Sequence, residues 1–100
     1  MNKTYTIGRN KGKTRLWLEG AILQAAGFKP GMRYHVDQTN AGLGGLVLTL
    51  HPEGARKVSG KGDKPIIDIM SQKDLARFEP GDIVSVTASQ RLGKVSVIQA

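Results

Sequence analysis

The stretch GFKPGMRYHV at residues 27–36 returns in outline as RFEPGDIVSV at residues 77–86. Phe28, Pro30, Gly31 and Val36 recur as Phe78, Pro80, Gly81 and Val86, at an offset of 50 in a chain of 100 residues. The same offset matches Lys11–Gly12 with Lys61–Gly62 and Ala26 with Ala76. That makes seven identities over positions 11–36, where roughly two are expected from residue frequencies. A duplicated unit of about 45 residues is too small to bury both faces of its own sheet, so its two copies must pair with each other.

The two halves agree in pattern as well as in identity. In the first, KTYTI (3–7) alternates as a strand and GRNKGK is a basic turn. TRLWLEG (14–20) is a strand with Leu16 and Leu18 on one face and Trp17 on the other. GAILQAAGF (20–28) is Ala-rich and ends at a glycine, which predicts a helix of about two turns. After the KPG turn, MRYHVDQ (32–38) sends Met32, Tyr34 and Val36 inward, NAGLGG is a loop in which Gly42, Gly44 and Gly45 relieve a tight hairpin, and LVLTL (46–50) closes the unit. The second half gives ARKV (55–58), a turn in SGKGDK, a strand in PIIDIM (65–70) and a short helix over SQKDLARF (71–78) capped by Ser71. The EPG turn and the strands DIVSVTA (82–88) and KVSVIQ (94–99) complete it. The expected fold is mainly β with two short helices. It is one domain over 1–100, built from repeat 1 (3–50) and repeat 2 (55–99) joined by the hinge 51–54. The copies differ by one residue of register around the second strand and by one in the last loop.

Charge is the strongest global signal. Fifteen Lys and Arg against eight Asp and Glu give +7, the footprint of a polyanion binder. Residues 1–18 carry Lys3, Arg9, Lys11, Lys13 and Arg15 with no acid, and residues 56–64 carry Arg56, Lys57, Lys61 and Lys64 against Asp63 alone. A solvated surface would also be basic, but two clusters at matching places favour a binding role. There is no Cys, so disulfides, thiolate metal sites and Cys nucleophiles are all excluded. No apolar run is long enough for a membrane span and the N-terminus lacks a secretory pattern, so a soluble cytoplasmic protein is expected.

No catalytic constellation stands out, and neither a metal nor a cofactor is expected. Asp74 is accounted for by the helix cap, Glu79 and Asp82 by the Pro-Gly turn, and Asp68 lies in a strand, facing solvent or pairing with a Lys. His35 and His51 read as isolated, and neither GRNKGK nor GLGG fits a phosphate loop. Tyr34 reads as core. Leu16 and Leu18 claim the inward face, which turns Trp17 outward beside Lys13 and Arg15 as a candidate contact residue.

The segment IDIMSQKDLARFEPGDIVSVTASQRLGKVSVIQ resembles the AbrB/MazE/SpoVT class of swapped-hairpin domains, through its strand, short helix, Pro-Gly-Asp turn and closing strands. RLWLEGAILQAAGFKPGMRYHV is similar to the SymE branch, except that Trp17 precedes Leu18 instead of lying nearer the helix. The resemblance implies a swapped-hairpin β-barrel formed here by two ββαββ repeats in one chain, a pseudo-dimer that is either monomeric or a homodimer. It also implies a nucleic-acid surface on the first hairpin of each half, Arg9, Lys11, Lys13 and Arg15, then Arg56, Lys57, Lys61 and Lys64, beside which the outward Trp17 is the further candidate contact. The first hairpin carries the Arg forks suited to base edges, and the second mainly Lys point charges suited to phosphate. The expected function is a small protein binding duplex DNA, a transcriptional regulator or antitoxin-like factor. Two alternatives stay open: a SymE-like toxin acting on RNA or compacting nucleic acid, and a phage or plasmid inhibitor that binds a host protein or nucleoprotein machine.

Overall fold

The alternation in the sequence sets which way each strand faces. Leu16 and Leu18 are fully buried while Trp17 between them is 40% exposed, and Val84 and Val86 are buried in the same phase. The computed structural model describes residues 1–39 and 44–99. Its elements are β1 (Asn2–Thr6), β2 (Gly8–Asn10), β3 (Lys13–Glu19), α1 (Ala21–Ala25), β4 (Arg33–Thr39), β5 (Gly45–Leu50), β6 (Arg56–Lys57), β7 (Ser59–Lys61), β8 (Lys64–Ile69), β9 (Ile83–Ser89) and β10 (Lys94–Gln99). All strand pairs are antiparallel, in a six-stranded sheet of order β1-β9-β10-β5-β4-β6 and a four-stranded sheet of order β2-β3-β8-β7. Each sheet therefore draws strands from both halves of the chain.

The inward faces meet in one core. Leu16, Leu18, Ile67 and Ile69 come from the smaller sheet, Leu46, Leu48, Val84, Val86, Val95 and Val97 from the larger, and Ile22, Leu23 and Phe28 cover one end. Tyr34 is buried against Phe28 with ring centroids 6.0 Å apart, as its strand phase predicts. Gly45 is required on β5, because a Cβ there would run into the Val97 carbonyl of β10.

Two buried residues carry the chain from one sheet to the other. Ile7 alone separates β1 from β2, and Val58 alone separates β6 from β7. Each is gripped by a Pro-Gly turn from the opposite half. Ile7 N–H donates to the Asp82 carbonyl (2.8 Å) and its carbonyl accepts from Gly81 N–H (2.8 Å). Val58 N–H donates to the Met32 carbonyl (2.8 Å) and its carbonyl accepts from Gly31 N–H (2.9 Å). Gly31 and Gly81 hold φ of 93° and 96°, a region in which a side chain is strained.

Several expectations are corrected. The helix expected over 71–78 is a run of turns. Ser71 Oγ does accept from Asp74 N–H (3.2 Å), and Leu75 N–H reaches the Ser71 carbonyl (3.0 Å), but no regular ladder follows. The Lys73 carbonyl, which a helix would give to residue 77, accepts instead from Gln38 Nε2 (3.1 Å). So short a segment has little cooperativity to set against such tertiary bonds. The first helix has five residues instead of about two turns. Met32 is 39% exposed, because β4 begins only at Arg33. Parts of both basic turns are strands, β2 and β7, so each half has five short strands where four were expected. Lys11–Gly12 form the first hairpin turn, with φ of 53° and 78°, whereas Lys61 ends β7 and the second turn is Gly62–Asp63. That sequence identity does not mark equivalent places. The loop expected over NAGLGG falls largely on residues 40–43, Gly42 among them, outside the described residues.

Truncation at the crossings should be costly. Ile7→Ala should lower unfolding free energy by about 2–4 kcal/mol in denaturant titration, and Val58→Ala by less, in step with the methyl groups removed. Burial pushes the Tyr34 hydroxyl from 10.0 up to about 12. The folded state thus favours the neutral phenol, and this contribution is intact below pH 10 and lost as pH rises from 10 towards 12. Tyr34→Phe should abolish an alkaline loss of about 2–3 kcal/mol, measured as the difference between the two proteins' stability profiles over that range.

Candidate nucleic-acid interface

The four-stranded sheet turns one face to the core and the other to solvent. Because Leu16, Leu18, Ile67 and Ile69 point inward, Lys13, Arg15, Trp17 and Glu19 of β3 and Lys64, Ile66 and Asp68 of β8 point outward. The register sets Trp17 directly opposite Asp68 at the middle of this face. Asn10 lies opposite Lys13, and Lys61 opposite Lys64, so Lys13 at one hairpin and Lys61 and Lys64 at the other belong to this face, whereas Arg9, opposite Thr14, is in the other phase.

Lys13 lies four residues before Trp17, and Lys64 four residues before Asp68 on the antiparallel partner. The two hairpin tips therefore stand at opposite ends of the face, roughly 25 Å apart at about 3.3 Å per residue. At one end Lys61 and Lys64 are a directly opposed like-charge pair beside a 440 Å³ depression lined by Gly60 and Ile66. Such a pair is unfavourable unless an anion sits with it. Lys64 Nζ is 3.9 Å from Glu19 Oε2, a long, exposed contact worth little.

The nine residues singled out in the sequence divide into three groups. Arg9, Lys11, Lys13, Lys57 and Lys61 have no carboxylate within ion-pair distance among the described residues, and Lys64 has only the long contact with Glu19. Arg15 is held by Asp68 through two hydrogen bonds, Nε to Oδ1 at 2.8 Å and Nη2 to Oδ2 at 2.9 Å. Its guanidinium lies 4.5 Å from the Trp17 ring centroid, and the bond from Asp68 pushes its pKa further above the ordinary value. Arg56 stands apart on β6, paired to Asp74 at 2.9 Å, and ties that edge to the turns after β8. The strand phase brings Lys13, Arg15, Trp17, Lys61 and Lys64 together on one face, and it does not bring Arg56 there.

Two expectations about individual side chains need correction. Asp68 pairs with an Arg instead of a Lys or solvent, because Arg15 lies diagonally across the β3–β8 seam. His35 and His51 are not isolated: their rings lie 4.8 Å apart at a tilt of 40°, brought together where the end of β5 turns back beside β4. Asp68 and Met70 belong to the outer face but were not among the candidates, although the alternation Ile67–Asp68–Ile69 already turned Asp68 outward. Among the described residues no group of three or more His, Asp or Glu could hold a metal ion, and no helix is long and apolar enough to cross a membrane. Comparison with protein families, curated proteins and solved structures gives no match for this chain.

Two glycines of the second hairpin separate backbone freedom from steric need. Gly62 has φ of 61° with open space around its missing Cβ, whereas at Gly60, with φ of 119°, a Cβ would meet the Lys64 carbonyl. Gly62→Ala should cost about 1 kcal/mol and Gly60→Ala at least about 2 kcal/mol in denaturant titration. Amide exchange in Gly60→Ala should rise first at β7 and at the β8 residues it pairs with.

Proposed function

We propose that this chain binds nucleic acid through the outer face of its four-stranded sheet, as a small duplex-DNA-binding regulator or antitoxin-like factor of AbrB-like architecture. The observation that carries this reading is the placement of two basic hairpin tips at opposite ends of one face, with Lys61 directly opposite Lys64 and offset only by the long 3.9 Å contact of Lys64 with Glu19. A span of roughly 25 Å covers about seven base pairs along one strand of a duplex.

The architectural half of the proposal has its own support. Exchanging β1–β5 for β6–β10 turns each strand order into its own reverse. The bent strands β1–β2 and β6–β7 join the two sheets at both corners, as in a barrel of two interleaved repeats. Gripping of Ile7 by residues 81–82 and of Val58 by residues 31–32 is the reciprocal exchange that a swapped-hairpin pseudo-dimer requires. A SymE-like role on RNA is the second reading, favoured by exposed Trp17, since an aromatic on a basic sheet is a platform for an unpaired base.

Shift assays with duplex DNA, single-stranded DNA and RNA across a salt series distinguish these. The five weakly paired or unpaired cations of the two hairpins, Arg9, Lys11, Lys13, Lys61 and Lys64, predict a log–log salt slope of roughly −4 to −5 for duplex DNA. Charge reversal at Arg9, Lys11 and Lys13, and separately at Lys61 and Lys64, should each weaken binding at least tenfold without lowering the melting temperature. A slope near zero, or indifference to both sets, sinks the reading. A preference for RNA that Trp17→Ala abolishes moves it to the second.

A further inference from the structure

Arg15 differs from every other cation on the outer face because it is already engaged by a partner matched to its planar fork. Both Asp68 oxygens accept from it, at 2.8 and 2.9 Å, and the two side chains are only 29% and 30% exposed. The indole of Trp17 fixes the plane of the guanidinium at 4.5 Å. Across the whole face, Asp68 sits at the centre, Glu19 lies nearer one end in its long 3.9 Å contact with Lys64, and the ammonium groups of Lys13, Lys61 and Lys64 mark the two ends. A phosphate that took Arg15 would replace one oxyanion with another and leave Asp68 unpaired beside the negative backbone. That exchange gains little. A neutral bidentate acceptor faces no such repulsion.

We propose that Asp68 is a specificity-determining residue that withholds Arg15 from the phosphate backbone and yields it to a guanine edge. Guanine offers O6 and N7 to the Arg15 fork, and the freed Asp68 carboxylate accepts from the N4 amino group of cytosine. The lysines at the ends of the face then supply affinity, and the Arg15–Asp68 pair at its centre supplies preference for G·C pairs. This inference rests on the duplex-DNA reading above.

The test compares the intact protein with Asp68→Asn, using G·C-only and A·T-only duplexes of equal length across a salt series. Wild type should favour the G·C duplex by roughly fivefold or more. Asp68→Asn should bind the A·T duplex at least about fivefold more tightly than wild type, with a salt slope steeper by about one and a reduced G·C preference. Adding Arg15→Gln to Asp68→Asn should erase the gain. Equal binding of both duplexes by wild type, or no gain in Asp68→Asn, overturns the proposal. Wild type that binds neither duplex overturns the duplex reading itself. The wild-type protein also gives an answer that does not depend on a folded variant. In ¹⁵N NMR spectra the Arg15 Nε–H resonance should stay in place with the A·T duplex, while amides near Lys13 and Lys64 shift, and should move with the G·C duplex. Movement with both overturns the assignment.

Discussion

The fold depends on four backbone hydrogen bonds made at two points, Ile7 and Val58. Each of these residues is buried, stands where the chain passes between sheets, and both donates to and accepts from a Pro-Gly turn of the other half. Without such partners, a peptide group placed between two sheets would be buried with its N–H and C=O unsatisfied, at a cost of several kcal/mol for the pair. The grip also locates everything else. It fixes where β1 meets β9 and where β6 meets β4, and through β2 and β7 it sets the position of both basic hairpins.

Strand identity and facing were legible in the sequence because period-two alternation is strong wherever one face is buried. Leu16–Trp17–Leu18, Ile67–Asp68–Ile69 and Val84–Ser85–Val86 each declare their inward side unaided. The segment 71–78 was not legible in the same way. Ser71 and Asp74 satisfy a helix-start pattern, yet Gln38 and Arg56, distant in sequence, take up groups there and leave turns. The short strands β2 and β7 were hidden for a related reason, since the Gly, Asn and Ser in them signal turns and only pairing with β3 and β8 makes them extended.

On the candidate site, composition located the cations but could not sort them. Arg15 and Lys13 look alike in a charge count, but one is held by Asp68 and the other by nothing described. The same holds for Arg56 beside Lys57, where the arginine anchors an edge and the lysine has no carboxylate within ion-pair distance among the described residues. Pairing across 53 residues, as between Arg15 and Asp68, leaves no mark on local spacing. The information lies in register, and register is a tertiary property.

The pairing of β1 with β9 has a consequence for how such a chain is made. Asn2–Thr6 leaves a ribosome almost eighty residues ahead of its partner Ile83–Ser89. Until then both edges of β1 are open, and the first half cannot close its own sheet. Contacts of such long sequence separation slow closure and prolong exposure of strand edges. The polar and charged residues of β1, Asn2, Lys3, Thr4 and Thr6, are suited to that wait, because they make the unpaired strand a poor template for association with other chains.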